Sequence, residues 1–452
     1  MVIVPSLGGN VEGADPMKHR LSPRFLVAAG AAATLALAAC SSGGETATEQ
    51  GRGEGPVPEP SAPVTITFAS WVGEIPEMKQ LLDAFHKEHP TITVKLQNVP
   101  AEEATEKLTA QIAGGNPPDV AYVDAGTVAN FASRKALVNL DKYISRSDIV
   151  KADAYVPAFK TFTTYDKSMY GLPFDGESTG LFYRTDMFQA AGITKPPATW
   201  PEFEDAARKL TQPAKRQYGV AMFATEAAYY WYPWLWQNGG KLLSDDGKQV
   251  LFADDKAKAA AEFYVNLAKN YAPKDYLNSN SYDGRQAFAN GQVGMYVAGS
   301  WFAGTLTNEF PAVKGKWATA PLPVGAAGCA TTIAGDALVV FSQSKQPDAA
   351  WKFIEFMSKP ANVAQWTYKS KDGTTLPPLT ALLQDPDLVK TKPVLEGFAK
   401  AMECGVSNVV ANPDWPKIEE SLNEELGKAI YGEQTVAAAL DGAAAEADKI
   451  IK

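Results

Sequence analysis

The chain has 452 residues, 46% of them hydrophobic and 21% charged, with 36 Gly and 31 Pro. That composition excludes a disordered polypeptide, a collagen-like repeat and a disulfide-dense miniature scaffold, and the length suggests two or three domains at roughly 150 residues each. Forty-two Lys and Arg stand against 51 Asp and Glu, a net charge of −9 with no basic stripe, which argues against nucleic acid as the main partner.

The chain opens with a targeting pattern. Met17-Lys18-His19-Arg20 and Arg24 form a basic region ahead of an uncharged run, Phe25 to Ala39, shorter than the roughly 20 residues of a membrane span. Leu37-Ala38-Ala39-Cys40 closes the run, and small residues before a Cys at that place resemble the bacterial lipobox. The resemblance implies a signal peptide over 1–39 and acylation of Cys40, which becomes the mature N-terminus. Acidic Glu12 and Asp15 do not suit a basic leader, so Met17 is the expected start. Residues 40–63 are Gly, Ser, Thr, Glu and Pro with little that is apolar, a lipidated Cys followed by a flexible tether stiffened by Pro56, Pro58, Pro60 and Pro63. The other reading, a buried hydrophobic helix with an incidental Cys, conflicts with a following stretch that has nothing to pack. The expected location is the outer face of the cell membrane, held by lipid.

Val64 to Ala69 alternates apolar and polar residues and predicts a strand. Ile75, Met78, Leu81, Leu82 and Phe85 recur at helical spacing until Pro90. Ile92, Val94 and Leu96 give a second strand, 101–113 an amphipathic helix, and 119–123 a buried third strand. This β-α-β-α-β order favours a mostly parallel sheet with helices on both faces, an α/β fold. Thr199-Trp200-Pro201-Glu202 forms a capping box opening a helix to about Leu210. Further helices are expected near 256–270, 347–358, 416–430 and 434–451, with short buried strands at 293–297 and 337–341.

Sheets of this kind bind ligands beyond the carboxyl ends of their strands. Trp71 and Asp124 each follow such a strand, and Gly335-Asp336 stand at another strand edge, where Gly would allow close approach of backbone. Glu74 is a weaker candidate, also readable as a charge at a helix start. A sugar ring has an apolar face and a rim of hydroxyls, so it suits flat aromatic rings with carboxylate acceptors at the edge. Residues 229–236 supply six aromatics in eight positions. Some must enter a core, and Trp231, Tyr232 and Trp234 are the preferred ligand candidates. His86 and His89 do not make a metal site on their own, and the Asp245-Asp246-Gly247 and Asp254-Asp255 runs lack EF-hand spacing and predict a turn and a helix cap. Neither a metal nor a cofactor is expected, and no Gly-rich phosphate loop is present.

Several segments together resemble the extracellular solute-binding proteins of ABC importers, the maltose-binding-like sugar group. They are residues 81–97, Gly114-Gly115-Asn116-Pro117-Pro118-Asp119-Val120, Leu137 to Tyr143, Tyr170 to Phe174 with Leu181 to Asp186, Phe288 to Met295 with Gly299-Ser300-Trp301, and Ala349 to Ile354. They follow the family's order over nearly all of the mature chain. The resemblance implies a periplasmic-binding-protein-like fold, two α/β lobes joined by hinge crossings with a ligand cleft between them. Lobe 1 is expected to hold 64–174 plus 319–358, and lobe 2 to hold 175–318 plus 359–452. It further implies that Trp301 lines the cleft, that Asp175 faces it at the crossover, and that Tyr183 is a weaker cleft residue. The function implied is a monomeric, non-enzymatic receptor that binds a mono-, di- or oligosaccharide by hinge closure and delivers it to a membrane permease. Two alternatives stay open: a secreted carbohydrate-active hydrolase with two carboxylates, and the same scaffold binding a non-sugar solute. Cys329 and Cys404 remain once Cys40 is lipidated, and they are either a disulfide or two free thiols.

Overall fold

Alternation turns Ile66 and Phe68 to one side of the first strand, and both are fully buried, whereas Thr65 is exposed and Thr67 only half-buried. The computed structural model describes residues 55–451 apart from 225, 275–282, 372, 409 and 411, so the signal segment 1–39 and Cys40 lie outside the described residues. The strands, in chain order, are β1 (Val64–Ser70), β2 (Ile92–Asn98), β3 (Val120–Asp124), β4 (Thr164–Tyr165), β5 (Ser168–Met169), β6 (Gly171–Arg184), β7 (Tyr218–Val220), β8 (Val293–Gly299), β9 (Trp317–Ala320), β10 (Thr331–Val340) and β11 (Gly405–Ser407). Helices α1 (Pro76–Glu88) and α2 (Ala101–Ala113) are the crossovers between β1, β2 and β3. Pro76 opens α1, where its missing N–H costs nothing, and the helix stops before Pro90.

The main sheet runs β2-β1-β3-β10-β6-β8-β7, with β11 beside β10 and β9 beside β6. β1, β2 and β3 are parallel, with Phe68 opposite both Leu96 and Val120. Beyond them the sheet is mixed and not mostly parallel as expected, although β10 with β11 and β7 with β8 are parallel. β10 is antiparallel to β3 and β6, and β6 is antiparallel to β8 and β9. The cause is connectivity: β6 carries the chain out of the first lobe and β10 brings it back.

β6 is one strand with two sets of partners. Up to Ser178 it pairs with β10, and from Thr179 it pairs with β8 and β9. The pairing therefore changes at Ser178–Thr179, beyond the 174/175 division drawn from sequence. Thr179 Oγ1 and Thr331 Oγ1, 2.7 Å apart, tie the two crossing strands at that point.

Each lobe has its own core. Ile66, Phe68, Phe85, Trp351 and Phe353 pack together in the first, and Phe203, Trp234, Tyr264, Leu422 and Leu440 in the second. A further cluster, including Phe159, Phe182, Ile333 and Phe398, runs along the crossing strands. The C-terminal third divides between the lobes instead of belonging wholly to the second as expected. Val363, Trp366 and Leu379 join the first core. The helices Trp415–Tyr431 and Val436–Ile451 pack in the second, through Ile418 and Ala439 among others.

Two helix starts agree with their local signals. Thr199 Oγ1 accepts from the Glu202 N–H, and the Glu202 carboxylate accepts from the Ala198 N–H at 2.7 Å, which opens the helix Trp200–Leu210. Asp254 caps the helix Asp255–Tyr271 by accepting from the Ala257 N–H. His89 Nδ1 lies 2.8 Å from Glu59 Oε1, while His86 Nδ1 lies 3.4 Å from the Ile92 carbonyl. Among the described residues no group of three or more His, Cys, Asp or Glu is arranged to hold a metal ion. No helix among them is long and apolar enough to cross a membrane.

Candidate functional site

Three aspartates stand in a row across three neighbouring strands. Asp336 on β10 is the register partner of Asp124 on β3 and of Asp175 on β6. Tyr122, two residues before Asp124, places its Oη 2.8 Å from Asp175 Oδ2 and 2.7 Å from Asp336 Oδ2. Trp366 donates its Nε1–H to Asp175 Oδ2 at 2.6 Å. One phenolic proton cannot serve two carboxylates at once. Burial, followed by the charges of Asp175 and Asp124, holds Asp336 well above the usual carboxylate range and favours its neutral form. Burial also raises Asp175 against the opposing hydrogen bonds from Trp366 and Tyr122. Asp124 lies at the exposed end of the row and is raised by desolvation, against the Gly126 N–H that it accepts.

A second carboxylate group faces the row. Glu177, two residues along β6 from Asp175, accepts from Tyr229 Oη at 3.1 Å. Its side chain lies over Gly299, where an added Cβ would come within 1.9 Å of Glu177 Oε2 and 2.6 Å of Trp301 Cδ1. Glycine there makes room for the carboxylate against the indole. Burial pushes Glu177 up to about 8, with Asp175 and Asp124 adding to the rise against Tyr229. Across from β3, Glu419 accepts from Tyr232 Oη and is pushed up to about 7 by burial, with Asp124 and Glu226 adding. Asp124 in one lobe and Glu419 in the other thus act on each other. Asn130 Nδ2 donates to the Pro413 carbonyl at 2.7 Å, a direct bond between the segments that carry them. Trp71 completes the wall, edge-on to Tyr122 with ring centroids 4.7 Å apart.

The structure gathers Trp71, Asp124, Asp336 and Trp301 of the expected residues around this cleft, all of them half-buried or exposed. Asp175 belongs to the same network but is buried behind it, 3% exposed, and serves as an acceptor for Tyr122 and Trp366 instead of facing open space. Gly335 is also buried. A Cβ there would meet the Asp175 carbonyl at 2.5 Å, so the glycine serves the close approach of β10 to β6 and presents no backbone to a ligand. Glu74 is exposed and pairs with Lys79 at 2.7 Å, the helix-start charge of the weaker reading. Tyr183 packs on Phe188, ring centroids 4.7 Å apart, at the outer edge of the second lobe and away from the cleft.

The aromatic run forms the helix Ala227–Gln237, but the preferred rings point the wrong way. Trp231 is fully buried in the second core, and Trp234 packs edge-on against Trp200 and Phe203. The ring of Tyr232 is buried as well, and its hydroxyl reaches the cleft only through Glu419. Tyr229 and Tyr230, on another face, are half-exposed, as is Trp236, and Tyr230 stacks on Phe223 at 4.2 Å. Sequence reasoning missed Tyr122, Glu177, Trp366 and Glu419, and within the aromatic run it preferred other rings to Tyr229. Tyr122 and Glu177 were findable, each two residues along a strand from a chosen aspartate and hence on its face. Nothing local to Glu419 signals its role. Cys329 and Cys404 are free thiols, and Cys329 is near enough to act on Cys404.

The sequence model for "Bacterial extracellular solute-binding protein" matches residues 70–364. A lactose-binding protein of Rhizobium radiobacter is 26% identical over 290 residues, covering 61% of this chain and 66% of its own. An uncharacterized lipoprotein of Streptomyces antibioticus is 27% identical over 341 residues, covering 72% and 73%. The crystal structure of an ABC transporter solute-binding protein from Thermotoga lettingae with bound α-D-tagatose superposes with a TM-score of 0.78 at 26% identity, over 87% of this chain and all of that one. The two-lobed fold, the crossing strands and the matched span agree, and the chain belongs to the bacterial extracellular solute-binding protein family.

Proposed function

We propose that this protein is a lipid-anchored receptor of an ABC importer that encloses a mono-, di- or oligosaccharide between its lobes and presents it to a membrane permease. The observation that carries the reading is the joining of Trp71 and Trp301 with Asp124, Glu177 and Glu419, contributed by both lobes, around one cleft. Rings offer flat apolar surface to a pyranose, and carboxyls offer acceptors or donors to its hydroxyls. A ligand touching both lobes favours the closed arrangement over the open one, and this difference drives the motion. No bond of the solute needs to break. The lipobox resemblance and the lipoprotein relative support anchoring at Cys40.

The test is a tryptophan-fluorescence titration of the purified protein with a panel of sugars. At least one mono- or disaccharide shifts emission saturably, and the same sugar is recovered intact after prolonged incubation. No saturable shift with any sugar overturns the reading, and released product from an oligosaccharide favours the hydrolase alternative.

One observation favours an amine-bearing sugar within this class. Among the described residues, Asp124, Asp175, Glu177, Asp336 and Glu419 form no salt bridge with Lys or Arg. An ammonium group would favour the ionised form of these carboxyls and pair with the charge so created. Glucosamine binding more tightly than both glucose and N-acetylglucosamine is the expected result, and equal affinities sink this narrower reading alone.

A further inference from the structure

We propose that Cys329 and Cys404 are a disulfide-forming pair that staples two of the segments crossing between the lobes, with Cys329 as the attacking thiol and Cys404 as the resolving one. Cys329 sits at a fixed place. Gly325 and Gly328 exchange backbone hydrogen bonds across a tight turn, and Gly328 adopts φ +108, a conformation that suits glycine. Gln237, at the end of the aromatic helix, clamps both sides of this turn. Its carbonyl accepts from the Ala327 N–H, and its side-chain amide donates to the Ala330 carbonyl at 2.8 Å. Cys404 is fixed from the other side, one residue before β11, which runs parallel to β10 with Thr331 opposite Gly405. The register brings the residues just ahead of the two strands side by side, and the two thiols are near enough to act on each other.

The two thiols are unequal. Cys329 is exposed and Cys404 only partly so. Burial, together with the neighbouring Cys329 thiol, pushes Cys404 up to about 12. The exposed sulfur therefore meets an external reagent first. The Cys329 thiolate attacks one sulfur of a small donor disulfide such as oxidised glutathione and expels one donor thiolate. Cys404 then gives its proton to solvent, its sulfur attacks Cys329 Sγ, and the second donor thiolate leaves. The donor is reduced to two thiols, and the protein loses two hydrogens.

The bond would close a long loop containing β10 and the helices that follow it, and so restrict the unfolded chain. It would also make β10 and β11 move as one ribbon when the lobes close. The groups acting on Cys404 are Cys329 and Glu403, and none of the cleft carboxylates is among them. The pair therefore stands or falls separately from the identity of the solute.

The experiment treats the purified full chain with oxidised glutathione, then uses intact mass, peptide mapping and thermal melting. The expected product has lost two hydrogens at this pair, yields a linked Cys329–Cys404 peptide and retains no glutathione at either position. Cys404→Ser keeps one glutathione on Cys329, whereas Cys329→Ser leaves Cys404 unreacted. The oxidised protein melts about 5 °C above the reduced one, and the double Ser variant shows no such difference. Glutathione retained on both cysteines of the wild type, or two thiols left unreacted, overturns the proposal. So do equal melting temperatures for a linked and a reduced protein.

Discussion

Tyr122 Oη bridges two carboxyl groups, Asp175 at 2.8 Å and Asp336 at 2.7 Å, that face each other on the two strands crossing between the lobes. The bridge ties the two acids to one donor where the two crossing strands lie side by side.

Removing the hydroxyl exposes that conflict. Tyr122→Phe is expected to lose about 1–3 kcal/mol of stability, since it leaves buried carboxyl oxygens without their donor. Asp336→Asn is expected to cost less than Asp175→Asn, because burial and its acidic neighbours favour the neutral form of Asp336, which the amide resembles, whereas Asp175 accepts from both Tyr122 and Trp366. Urea denaturation of the three variants checks the order.

Acidity at the cleft ties stability to pH. Glu177 at about 8 and Glu419 at about 7 bind protons more tightly in the folded chain than in the unfolded one. Between the ordinary Glu value of 4.5 and these values the folded state holds more protons, so the slope of unfolding free energy with pH is negative. Their contribution is complete below 4.5 and is lost as pH rises towards 8. Melting temperature should fall across this window, and Glu177→Gln should flatten the fall. A profile unchanged by that substitution would remove Glu177 from the account.

Two tryptophans separate site from core. Trp301→Ala is expected to weaken sugar binding at least tenfold, or about 1.4 kcal/mol, while the protein stays folded. Trp231→Phe is expected to leave sugar affinity unchanged and to lower stability by about 1–3 kcal/mol, because it shrinks a fully buried side chain. Titration and denaturation of both variants give the comparison. Normal binding by folded Trp301→Ala would displace that ring from the site.

A methyl group at Gly335 tests the closeness of the crossing strands. Gly335→Ala would place a Cβ 2.5 Å from the Asp175 carbonyl, a contact that backbone must yield to relieve. The expected loss is about 1–3 kcal/mol, together with weaker sugar binding as Asp175 and Asp336 separate. Denaturation midpoints and titration read both effects.

The strands and long helices were legible because their signals are local. Ile66 and Phe68 alternate, Thr199 and Glu202 cap, and Pro90 stops a helix. The direction of β10 was not legible, since whether a strand leaves or returns depends on the path of the chain through both lobes. The aromatic helix shows a similar limit. Its residues are apolar on nearly every side, so periodicity could not choose between Trp231, which is buried, and Tyr229, which is not. Asp124 and Trp71 were found because strand ends are recognisable. Glu419 was not, because only the fold brings it, from nearly three hundred positions away, to Asp124.

β6 runs without interruption for fourteen residues and serves both halves of the molecule. Cutting the chain near Ser178 would tear a ladder on each side, so neither half is a module that could be expressed, swapped or inherited by itself. Two lobes built on one strand have to be made together.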